Sequence, residues 1–141
     1  MNRTVPGNPR TRLLLAALLP ALATALTLAP VLFSPPEQVP LMLGLLIVSS
    51  APAVALVVNW RWPAATNKDR AAWAALPQVA VVPLMVRLDV WLDVRSGYLL
   101  RHSGEEAMAY GIGTVFGVLA GIVLVVLVGF AGRLGASLGG G

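Results

Sequence analysis

Three stretches of this chain run for twenty residues or more without a charged side chain: Leu13 to Phe33, Pro40 to Asn59 and Ala109 to Ala131. At 1.5 Å per helical residue, each reaches about 30 Å, the thickness of a bilayer's hydrocarbon core. A soluble domain carries roughly 25% charged residues. Here 57% of the residues are hydrophobic and only 11% charged. Lipid is therefore the expected solvent of most of the surface. The expected fold is all-α, an integral membrane helical bundle in one domain over residues 1–141.

Breaks in the pattern place the boundaries. Ser34-Pro35-Pro36-Glu37-Gln38 ends the first run, because proline cannot continue a helix beyond its first turn. Pro40 suits the opening of a second helix. Trp60 and Trp62 then fall where an aromatic belt meets the headgroups, ahead of the polar connection Thr66 to Arg70. A fourth uncharged run, Ala71 to Val86, is shorter and holds Pro77, Gln78 and Pro83. It reaches bilayer thickness when extended through Arg87 and Leu88, with Arg87 snorkelling to the interface. The sequence predicts four transmembrane helices, about 13–33, 40–59, 71–88 and 109–131, between flexible ends 1–12 and 134–141. The rival is three spans, with residues 71–86 lying in the interface. Cleavage of the first run as a signal peptide after Ala21-Leu22-Ala23 is disfavoured, because the apolar run continues well past a typical signal core.

Charge sets the expected orientation, since cations are held on the cytoplasmic side. With four spans and the N-terminus cytoplasmic, Arg3, Arg10, Arg12, Arg61, Lys68, Arg70 and Arg133 lie inside. Only Arg87, Arg95 and Arg101 lie outside, offset by Asp89, Asp93, Glu105 and Glu106. Nine arginines against one lysine suggest a GC-rich bacterial source, and so a multi-pass protein of the cell membrane. The net charge of +4 comes from scattered boundary cations, not a basic stripe, which argues against nucleic acid. With no cysteine there is no disulfide framework or thiolate metal site.

Small residues carry the packing signal. Gly113, Gly117 and Gly121 recur every four residues, and Gly129 extends the row. Such a face lets a second helix approach closely, a main source of helix association in lipid. Ala17, Ala21, Ala25 and Ala29 form a similar ridge in the first span. The two ridges are expected to face each other inside one bundle; the alternative is a self-association face.

The polar groups concentrate between Arg87 and Tyr110. An amphipathic segment at the interface is expected there, before the last span, with Asp89, Asp93 and Ser96 in water and Arg87, Arg95 and His102 on the other side. The sharper alternative is a membrane-surface lipid enzyme. Asp89 and Asp93 would hold a divalent cation, Arg95 and Arg101 a lipid phosphate, and His102 with Glu105 and Glu106 an acid–base group. No HExxH, GxSxG, Walker A or GxGxxG pattern occurs. Neither catalytic residues nor a cofactor or metal are expected. The expected role is a non-catalytic accessory or assembly protein, whose partners are the lipid bilayer and a homo-oligomer or membrane-protein partner. A small transporter or channel subunit is the other class, although transport of ions usually needs an ionisable group within the membrane.

Overall fold

The computed structural model describes residues 8–34, 41–62 and 73–140. The Pro35–Pro36 break, Pro40, the Thr66 to Arg70 connection and the start of the third run at Ala71 lie outside them. Among the described residues there are four helices and no strand: α1 (Pro9–Leu32), α2 (Leu41–Arg61), α3 (Gln78–Ser96) and α4 (Gly104–Gly139). Three of them, α1, α2 and α4, are each long and apolar enough to cross a membrane. α3 is not, because Arg87, Asp89, Asp93 and Arg95 occupy its second half.

Each helix begins and ends for a local reason. Asn8 caps α1, its side-chain oxygen accepting from the Arg10 N–H at 3.2 Å, with Pro9 in the first turn where its missing donor costs nothing. α1 therefore starts four residues before the first apolar run. Gly97 ends α3 in the left-handed region (φ 84°), which a side chain would disfavour. The carbonyl of Asp93 then accepts from Tyr98 and Leu99. Ser103 caps α4, its hydroxyl accepting from the Glu106 N–H at 3.2 Å.

The inside of the bundle is small and the outside is large. Ala51, Ala55, Ala75, Val128 and Ala131 form one buried cluster, and Ala16, Val58 and Ala74 another. Leu26, Phe116, Val126 and Phe130 point outward, each more than 60% exposed. Apolar surface on that scale is ruinous in water and ordinary in lipid, where close backbone packing drives association.

Contacts along the helices fix their directions. Thr27 meets Ser50 and Ala16 clusters with Val58, so α1 and α2 are antiparallel. α4 descends along α3: a Cβ on Gly113 would lie 3.0 Å from Val86 Cγ1, on Gly117 2.9 Å from Pro83 Cα, and on Gly121 2.9 Å from the Gln78 carbonyl oxygen. Further on it runs parallel to α2, where Gly135 abuts the Leu56 carbonyl and Gly139 the Trp60 carbonyl. The first turn of α1 and the last of α4 thus lie at the same end of the bundle.

Three expectations need correction. The alanine ridge of α1 does not face the glycine row. α1 packs on α2 and α3, with Ala21 buried and Ala17 against the Ala16–Val58–Ala74 cluster, while α4 packs on α2 and α3 from the opposite corner. Arg87 to Ser96 is not a separate interfacial segment but the continuation of α3. Residues 134–139, expected as a flexible tail, are the end of a 36-residue α4, with Gly135 and Gly139 close against the backbone of α2.

Candidate functional site

The inner face of α3 carries the chemistry. Gln78, Val82, Val86, Asp89 and Asp93 follow one another at spacings of four, four, three and four, so they share one stripe. Its ends are polar and its middle is apolar.

At the lower end, Gln78 is 1% exposed and Thr24 of α1 is fully buried. The Thr24 hydroxyl lies 2.8 Å from Gln78 Oε1 and 3.2 Å from the Pro20 carbonyl. One hydroxyl proton serves one acceptor at a time. With the Gln78 amide turned over, its nitrogen donates to Thr24 while the Thr24 proton stays on Pro20; as placed, Gln78 Nε2 has no partner. Asn59 is a second buried amide, 2% exposed, donating to the Ala55 carbonyl at 2.8 Å with its own oxygen unpaired. It sits at the end of the second apolar run, where the sequence reads as boundary; its place after Ala51 and Ala55 in a row of small residues at steps of four was the available signal.

In the middle, a cavity of about 460 Å³ is walled by all four helices, including Leu28, Ile47, Val82, Gly117 and Leu124. It exists because α4 changes partners. Glycines hold its upper half to α3 and its end to α2, so α2 and α4 diverge towards the α3–α4 turn. Val48, Phe116 and Val123 stand at the rim, each about half exposed or more.

At the upper end, Asp93 is buried and Asp89 half-buried. Desolvation, with Asp93 nearby, pushes Asp89 up to about 6, and desolvation also raises Asp93. The acidic face thus turns towards the bundle rather than out to water. The cations lie on another stripe, Arg87, Trp91 and Arg95 at steps of four. Arg87 stacks over the Tyr110 ring at 5.4 Å and donates to Thr114 at 3.4 Å; Arg95 stacks over Trp91 at 5.2 Å.

The remaining candidates serve the turn. His102 adopts φ 59°, and its backbone N–H donates to the Glu106 carboxylate, which with the Ser103 cap closes a capping-box-like ring. Glu105 occupies the exposed first turn, where a carboxylate suits the helix dipole. Arg101 is exposed. Among the described residues, no three of His, Asp and Glu converge as a metal ion would require.

Comparison with family models, curated proteins and solved structures finds no match.

Proposed function

We propose that this chain is a non-catalytic accessory or assembly protein of the cell membrane, with four crossings and a cytoplasmic N-terminus. The observation that carries the reading is the seating of α4. Its glycines bring backbone against backbone on two different helices, and the buried Thr24 and Gln78 side chains meet across α1 and α3. The apolar half of α3 runs beside Gly113 to Gly121 of α4, which supports a fourth crossing despite its shortness.

The test is complementation of cells lacking the chain, with membrane complexes resolved on native gels. Asp89→Asn with Asp93→Asn should restore the wild-type complexes, and Gly117→Ile should not. An Asn pair that accumulates normally yet fails to complement would overturn the reading in favour of surface chemistry at the carboxylates.

A small transporter is the second reading, favoured by the Gln78 amide one turn beneath the cavity lining at Val82. Proteoliposome flux that is lost with Gln78→Leu would support it; absence of any flux would remove it.

A further inference from the structure

We propose that the cavity between α2 and α4 holds one acyl chain of a membrane phospholipid whose headgroup carries a primary ammonium, placed at Asp89 and Asp93.

Length points to a chain. The α4 lining runs from Gly113 to Leu124, about 16 Å along the helix axis at 1.5 Å per residue. One leaflet contributes about 15 Å, half of a roughly 30 Å hydrocarbon core. The cavity begins at Val86 and Gly113, just below the carboxylates; on α1 and α3 its lining stops at Leu28 and Val82, one turn above the Thr24–Gln78 pair, while on α4 it runs on past Gly121, the level of Gln78, to Leu124. Its walls are almost wholly apolar, and its rim opens sideways into lipid. A partner helix, about 10 Å across, does not enter a space of this size.

Charge selects the headgroup. Asp89 and Asp93 lie three and seven residues beyond Val86 on the stripe that lines the cavity, about 4.5 and 10.5 Å further along the axis. That is headgroup level for a chain seated below. No described cation sits on either carboxylate; Arg87 and Arg95, on the other stripe of the same helix, are turned to Tyr110 of α4 and to Trp91. A primary ammonium can both neutralise and hydrogen-bond the carboxylates. A choline head supplies charge without the hydrogen bond, and a glycerol head supplies hydroxyl hydrogen bonds without a cation to offset the phosphate's repulsion.

The experiment is native mass spectrometry of the full chain released from detergent micelles containing equal amounts of ethanolamine-, choline- and glycerol-headed phospholipids. The expected result is one retained lipid, the ethanolamine form exceeding the glycerol form by about fivefold. Ala120→Phe fills the cavity from an exposed position and should abolish retention with helicity and monodispersity unchanged; Val48→Phe, from α2, repeats the test if that variant misfolds. Asp89→Asn with Asp93→Asn should keep the lipid and lose the preference. Equal retention after cavity filling, an unchanged headgroup order in the Asn pair, or a photo-crosslinker at Ala120 that captures a second copy instead of lipid would each overturn the proposal.

Discussion

Thr24 and Gln78, 54 residues apart in sequence, meet at 2.8 Å between α1 and α3, both sealed from the surface. A polar pair in this position is worth having only while both partners are present.

Thr24→Val should therefore destabilise the bundle by about 1 kcal/mol, because it strands a buried amide. Adding Gln78→Leu should recover part of the loss. Reversible unfolding in mixed micelles measures both, and additive losses would mean that the pair is not coupled.

The glycines divide into two kinds. Gly117 and Gly121 face backbone at contact distance, whereas Gly44 and Gly111 have nothing within 4 Å of a built Cβ. Gly117→Val should cost about 1–3 kcal/mol or more through overpacking. Gly111→Ala should be neutral or stabilising by up to about 1 kcal/mol through helix propensity. Equal effects in thermal unfolding would refute the seating of α4 on α3.

Hydrogen exchange tests the end of α4. Amides of residues 135–139 should be protected as a helix packed on Leu56 and Trp60, and Gly135→Val should expose them. Rapid exchange in the unaltered chain would restore the flexible tail.

Acidity should stabilise the hairpin end. Asp89 stands beyond the apolar part of α3 with its folded pKa raised from 3.8 to about 6, so the folded state holds its proton more tightly. The stabilisation is complete below 3.8 and lost as pH rises through about 6. Asp89→Asn should flatten melting temperature against pH over that window.

Both ends of the described chain leave the bundle on one side. Reporters fused before Asn8 and after Gly140 should therefore report the same compartment; opposite compartments would reinstate three spans.

The all-α architecture was legible because charge-free runs of bilayer length admit few other readings, and the three longest became α1, α2 and α4. The glycine row Gly113, Gly117 and Gly121 was legible as a packing face, but its partner was not. Spacing says which residues share a face and nothing of what lies opposite, so α3 took the place expected of α1. The tail was misread for a related reason: Gly135 and Gly139 are weak helix formers alone, and the sequence does not show that they lie against the backbone of Leu56 and Trp60, where a Cβ would not fit. The direction of the acidic stripe was also hidden. An amphipathic pattern separates two faces without saying which one meets water.

The change of partner along α4 leaves α2 and α4 as a wedge, closed at Gly135 and open at Phe116. With α4 upright in a bilayer, the open mouth at Phe116 and the shut seam at Gly135, nineteen residues or about 28 Å apart along the axis, would meet different leaflets and so different lateral pressures. A bundle with nearly uniform greasy walls is in this way mechanically polarised across the membrane it sits in.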